Sequence, residues 1–257
     1  MRVALAVEYD GQAYCGWQRQ PHSVSVQAAV EAALSSIANE PITVHCSGRT
    51  DTGVHAVAQI VHFDTKAERN LTAWTFGTNS VLARDVSIHW AKVMPDDFHA
   101  RFSADSRSYR YTILNRPTRP GLDYKRLCWQ RDELDVERMR EASSWLLGEH
   151  DFSSFRSSEC QANHPIRVMR ELRVHRTGDR VIIDICANGF LHNMVRIIAG
   201  CLMAIGKGEQ PVDWLKTLLE AKDRTQAAAT ASPNGLCFLQ AHYPNRFEVP
   251  TFIAPSE

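Results

Sequence analysis

The feature that most restricts how this chain can fold is a pattern that occurs twice. Arg2 to Tyr9 is an apolar, strand-like run; Val26, Val30, Leu34 and Ile37 follow at helical spacing behind Ser23 or Ser25 as a cap. Strand-like segments come next at Ile42 to Cys46 and at Val57 to Phe63. The same order returns at Ser106, where a β-branched and aromatic run of period two extends to Leu114. Val136, Met139, Ala142 and Leu146 then repeat at helical spacing, with Gly148 placed to end the helix. Glu171 to Arg176 and Arg180 to Ala187, joined by Thr177-Gly178-Asp179, have the form of a hairpin. Helices over Phe190 to Ile205 and Asp213 to Ala221 and a closing strand over Gly235 to His242 complete the second half. Strand, helix, strand, strand in each half predicts an α+β fold with antiparallel sheets and helices on one side. The two domains meet around residues 100–107.

A chain of 257 residues, 44% of them apolar, has enough material for two modest cores. Its longest apolar stretches, such as Val195 to Ile205, are too short to span a bilayer, and the start runs directly into strand residues followed by Glu8 and Asp10, so neither a membrane span nor a leader is expected. Seven cysteines without a C-x-x-C spacing encode neither a disulfide framework nor a thiolate zinc site and suit a reducing compartment.

Net charge is zero, but it is unevenly spread. Residues 101–131 carry 8 basic and 2 acidic groups and residues 156–180 carry 6 and 3, whereas residues 132–155 carry 2 and 7. Arginine, which binds phosphate or carboxylate through a planar fork, supplies 23 of the 29 basic residues. Two basic bands in an acidic background fit either an RNA-facing surface or a solvated face.

The densest chemistry lies between two strands, in Ser47-Gly48-Arg49-Thr50-Asp51-Thr52-Gly53-Val54-His55-Ala56. Two glycines permit a sharp turn and close approach to a ligand, and a guanidinium two residues from Asp51 favours its ionised form. Such a carboxylate can act as a nucleophile or an electrostatic stabiliser; a turn in which Asp51 caps backbone amides is the plainer alternative. Asp-Thr-Gly also occurs in aspartic proteases, but no second copy exists here and Arg49 would ionise both carboxylates of a dyad. A metal site built from His45, Cys46, Asp51 and His55 is disfavoured because adjacent strand residues point to opposite faces. Dinucleotide, phosphate-loop, zinc-protease and hydrolase-elbow motifs are missing, so the sequence predicts no cofactor and no metal.

Gly48 to Ala56 resembles the signature of the TruA family of tRNA pseudouridine synthases. The likeness continues in order through Tyr9-Asp10-Gly11, Tyr14, Gly16-Trp17-Gln18 and Gln20, then Phe98, Ala100-Arg101-Phe102-Ser103-Ala104, then Tyr109-Arg110-Tyr111. His150 to Phe155, Phe190-Leu191 with Met194-Val195-Arg196, and Gly235-Leu236 extend it over nearly the whole chain. Departures are Ala83 where proline is usual and Ser232-Pro233-Asn234 before Gly235.

The resemblance implies isomerisation of uridine to pseudouridine in the anticodon arm, at tRNA nucleotides 38 to 40, without redox change, hydrolysis or energy input. It implies Asp51 as the catalytic carboxylate beside C1′, by a covalent or a glycal route, and Arg196 as its ion-pair partner. Tyr109 is expected to stack on the target base and to serve in removing the C5 proton, Arg49 to hold the flipped nucleotide, and Leu236 to pack on the uracil. Arg101, Arg107 and Arg110 are the expected RNA contacts. The implied architecture is two domains, 1–104 and 105–257, sharing a continuous antiparallel sheet with a cleft between them, in a cytoplasmic homodimer. A non-catalytic RNA-binding module is the competing class, and Asp51 discriminates, because a pure binder has no use for it.

Overall fold

The structure, a computed structural model, describes residues 1–251. In chain order its strands are β1 (Arg2–Tyr9), β2 (His45–Cys46), β3 (His55–Asp64), β4 (Val86–Met94), β5 (Ser106–Asn115), β6 (Cys128–Gln130), β7 (Gly148–Asp151), β8 (Ile166–Thr177), β9 (Arg180–Ala187) and β10 (Leu236–His242). The α-helices are α1 (Val26–Ala38), α2 (Thr78–Val81), α3 (Val136–Ser143), α4 (Met194–Gly206) and α5 (Trp214–Ala221). The chain divides into two compact units, Met1–Arg107 joined by the stretch from Cys237 onward, and Ser108–Leu236.

In the first unit the strands run in the order β4-β1-β3-β10, with β2 on β3. Val3 to Val7 have no exposure, which explains why β1 reads as a continuous apolar run instead of an alternating one: it is the central strand, antiparallel to both β3 and β4. On one face Phe98, Ala100 and Phe247 pack against Ala4, Ala6, Ala58 and Ile60. Small side chains on the sheet leave room for these aromatic rings, and burying each ring contributes about 1.5–3 kcal/mol. Helix α1 starts where Ser25 accepts a hydrogen bond from the Ala28 amide at 3.3 Å and stops at Asn39, which is left-handed at φ 57°.

In the second unit the order is β5-β9-β8-β7, with β6 on β5. The β8–β9 hairpin turns at Gly178, φ +56°, as its turn sequence predicts. Helix α4 is buried along nearly its full length, and Gly200 and Gly206 are what allow this. A β-carbon at Gly200 would collide with the Ala229 carbonyl, and one at Gly206 would stand 2.8 Å from Met139 Sδ.

Several expectations need correction. The sheets are mixed: β10 runs parallel to β3 and β6 parallel to β5. The chain from Cys237 onward groups with the first unit and not with a 105–257 domain, and β10 pairs there with β3, Cys237 beside His55 and Phe238 beside Ala56. Helix α4 begins at Met194 and not Phe190, since Asn193 adopts a left-handed conformation, φ 62°, that a helix cannot pass through. Helix α3 ends at Ser143 and tightens into a 3-10 turn over Ser144–Leu146, while Gly148, φ +96°, opens β7. Ile42 to Cys46 contributes only two strand residues.

Candidate active site

The Asp51 loop is shaped by the N-terminal motif, 40 residues earlier in the chain. Asp51, Thr52, Gly53 and Val54 form a turn closed by the Val54 amide donating to the Asp51 carbonyl at 3.1 Å, with Gly53 at φ +78°. Thr50 is held twice: its hydroxyl is 2.7 Å from the Tyr9 hydroxyl, and its carbonyl accepts from the Trp17 amide at 3.0 Å. Gly11 and Gly16 let the two segments touch. A β-carbon on Gly11 would overlap the Val54 carbonyl, and one on Gly16 would lie 2.7 Å from the Thr50 carbonyl oxygen and 3.1 Å from the Asp51 carbonyl carbon. His55, buried at the start of β3, receives the Gly11 amide on Nδ1 at 3.2 Å, with Asp10 Oδ1 at the same distance. It is a clamp between the two motifs.

The upstream limb is equally constrained. Buried Gln59 takes hydrogen bonds from the Ser47 hydroxyl at 2.5 Å and the Gly48 amide at 3.3 Å, and returns one to the Gly48 carbonyl at 2.5 Å. Arg107 donates to the carbonyl oxygens of Ser47, at 3.2 Å, Ala104, at 3.0 Å, and Arg101. With both limbs tied to the sheet, Asp51 sits partly buried at the apex and Arg49 is exposed beside it. A carboxylate presented by a rigid, hydrogen-bonded loop keeps its position while a ligand moves. Tyr14 belongs to the same motif; burial, and then its hydrogen bond to Asp85 at 2.8 Å, push its hydroxyl up to about 12, which keeps it a neutral donor.

The second unit holds the other expected residues. Tyr109 is buried on β5, its ring 5.0 Å from that of Phe190 and nearly perpendicular to it. Tyr111 is fully buried, donates to the Ser232 carbonyl at 2.8 Å, and has its pKa raised far above the ordinary phenol value, chiefly by burial. Its ring leaves no space for a side chain at Gly235, where a β-carbon would be 2.7 Å from the Thr112 carbonyl. Leu236, the next residue, is buried at the start of β10. Arg110 grips Asp184 with Nε to Oδ1 at 2.7 Å and a second contact at 3.2 Å. Of the three arginines expected to meet RNA, Arg107 and Arg110 therefore each have an intramolecular structural task, and Arg101 is exposed.

Arg196 lies in the first turn of α4. Its Nε donates to the Ala231 carbonyl at 2.8 Å and its Nη1 to the Asn193 side-chain oxygen at 2.7 Å. A cation in the first helical turn opposes the helix dipole, so helix stability does not account for its presence.

Sequence reasoning missed two features of the first unit. One is the Asp10, Gly11 and His55 contact, which the spacing of motifs could not reveal. The other is a cluster of His45, His62 and His99, with ring centroids 4.6–5.6 Å apart. His62 is driven down to about 4 by burial first and by its charged and histidine neighbours second. The pairing of β2 with β3, which sets His45 opposite His62, is a tertiary fact. Among the described residues no group of three His, Cys, Asp or Glu side chains is arranged to hold a metal ion, and no helix is long and apolar enough to cross a membrane.

Comparison with known proteins adds three findings. A family model described as tRNA pseudouridine synthase matches residues 5–103 and 142–244. The chain is 54% identical over 250 residues to tRNA pseudouridine synthase A of Shewanella amazonensis, covering 97% of this chain and 96% of the relative, and 53% identical to its namesake in Vibrio cholerae, covering 97% and 95%. Among solved structures, a chain of the archaeal box H/ACA sRNP Nop10-Cbf5 complex aligns over 92% of this chain with a TM-score of 0.39 and 10% identity; this chain spans about half of its length, 48%.

Proposed function

The chain belongs to the tRNA pseudouridine synthase family, and is thus an RNA-modifying isomerase; from that premise we propose that it converts uridine to pseudouridine in the anticodon arm, at tRNA nucleotides 38 to 40, with Asp51 as the catalytic carboxylate. In this isomerisation the N1–C1′ bond breaks, a C5–C1′ bond forms, a proton leaves C5 and one is gained at N1. Asp51 acts on the sugar side, where C1′ becomes electron-poor. Tyr109 stacks on the uracil and its hydroxyl takes the C5 proton; Arg196 is the counter-ion of Asp51, Arg49 holds the flipped nucleotide and Leu236 packs on the base. Arg101 is the arginine we assign to phosphate.

The single observation that supports Asp51 is the convergence of the Tyr9 to Trp17 motif on its loop, with both Gly11 and Gly16 giving up side chains to let the backbones meet. A turn of no consequence would not need two segments fitted so closely. The resemblance carries with it a cytoplasmic homodimer as well, which equilibrium sedimentation of the purified protein tests.

The deciding experiment incubates purified protein with an unmodified tRNA transcript, without added cofactor, and maps pseudouridine nucleotide by nucleotide. Product confined to nucleotides 38 to 40 is expected; product in another arm would overturn the positional assignment.

A further inference from the structure

Among the described residues of the first unit, Phe102 and Phe76 are the large aromatics about three-quarters exposed. Unlike a side chain on a loose loop, Phe102 is fixed from below. The amides of Arg101 and Phe102 donate to His99 Nδ1 at 3.1 and 3.3 Å, the Ser103 amide donates to the His99 carbonyl at 2.9 Å, and the Ser103 hydroxyl accepts from the His99 amide at 2.9 Å. The His99 ring lies 4.4 Å beneath the Phe102 ring and continues into the His62 and His45 stack. The outer face of an exposed aromatic is thus rigidly presented to solvent.

Its surroundings are basic. The Arg101 guanidinium is 5.4 Å from the Phe102 ring centre, and Arg101 is itself exposed. Of the acids near it in sequence, Asp96 lies by Arg2 and Asp97 pairs with Arg246 at 3.1 Å, while Asp105 is exposed, its amide donating to the His242 carbonyl at 2.8 Å. An exposed, immobilised ring bordered by an exposed arginine suits an unpaired base with its phosphate, since every base has a π-face and every phosphate attracts a guanidinium. A protein partner or a second copy would be better served by a wider apolar surface.

We propose that Phe102 is a stacking platform for an unstacked tRNA base other than the target uridine, with Arg101 holding the adjoining phosphate. The proposal rests on the tRNA reading of the family but not on which carboxylate does the chemistry.

The test measures equilibrium binding of an unmodified tRNA transcript and of a blunt RNA duplex of similar length to wild type, Phe102→Ala, Phe102→Trp and Arg101→Ala. Phe102→Ala should weaken tRNA binding about tenfold or more without changing the slope of log affinity against log salt, and should leave duplex binding unaltered. Phe102→Trp should restore tRNA binding, and Arg101→Ala should lower the slope by about one. In turnover assays the Phe102→Ala defect should fall on KM. Wild-type affinity in Phe102→Ala, an equal loss with the duplex, or a change in oligomeric state with tRNA binding intact would each overturn the platform. A wild-type protein that binds tRNA yet makes no pseudouridine would overturn the catalytic reading and leave the platform standing.

Discussion

Gly16 faces Thr50 so closely that a β-carbon on Gly16 would stand 2.7 Å from the Thr50 carbonyl oxygen, and its φ of +83° is one that L side chains avoid. Gly16→Ala therefore meets two penalties at once, left-handed strain and a backbone clash, together about 2–4 kcal/mol. Gly178→Ala, at φ +56° with open space around it, meets only the first, about 1 kcal/mol. Thermal unfolding should rank the two in that order. Turnover should fall in Gly16→Ala alone, because the clash displaces the Asp51 turn.

Asp51→Asn and Asp51→Ala should abolish pseudouridine formation while tRNA binding largely survives, since phosphate contacts dominate affinity. Single-turnover assays at saturating enzyme decide it; product at a near wild-type rate in either variant would remove Asp51 from the chemistry.

Tyr109→Phe keeps the ring that meets Phe190 and removes the hydroxyl, so binding should be retained and turnover should drop by about two to four orders of magnitude. Tyr111→Phe has a different outcome. It leaves the half-buried Ser232 carbonyl without this donor, so it should cost about 1 kcal/mol of stability with little kinetic effect. A fully active Tyr109→Phe would reduce that residue to a stacking surface.

The Arg110 and Asp184 pair predicts that Arg110→Ala lowers stability by about 1–2 kcal/mol, because Asp184 is left half-buried without a counter-ion. Its salt slope for tRNA should match wild type. A slope reduced by about one would return Arg110 to the RNA surface.

His62 ties stability to pH. Its folded pKa, about 4, lies below the 6.5 of an unperturbed histidine, so between those values the unfolded chain binds a proton that the folded one does not. The stabilisation is complete above pH 6.5 and is lost as pH falls toward 4. The loss is on the order of 2 kcal/mol, allowing for water at the exposed His45 edge of the cluster. Denaturant unfolding from pH 7 to pH 4.5 should therefore be flatter for His62→Asn than for wild type; identical slopes would refute the assignment.

Local pattern was enough to find β1, α1, β5 and the β8–β9 hairpin, because central strands, capped helices and glycine turns carry their own signals within a few residues. Strands β4, β6 and β7 escaped notice. β6 and β7 are three and four residues long, and β4 has only three buried residues in nine, so their place in the sheet is set by partners far along the chain. The start of α4 after Asn193 depends on one left-handed residue inside an otherwise helical pattern, which no periodicity announces.

By itself the sequence determined the α+β class, the candidate loop around Asp51 and the family resemblance, since these rest on residue types at fixed short spacings. Only the tertiary structure decided which arginines are engaged by Ser47, Ala104, Arg101 and Asp184, that the chain after Cys237 rejoins the first unit through β3, and that Gly11 and Gly16 press against the catalytic candidate's loop. The physical reason is common to all three. Hydrogen bonds, ion pairs and steric contacts depend on distance in space, and residues 11 and 54, or 110 and 184, become neighbours only once the sheet between them has formed.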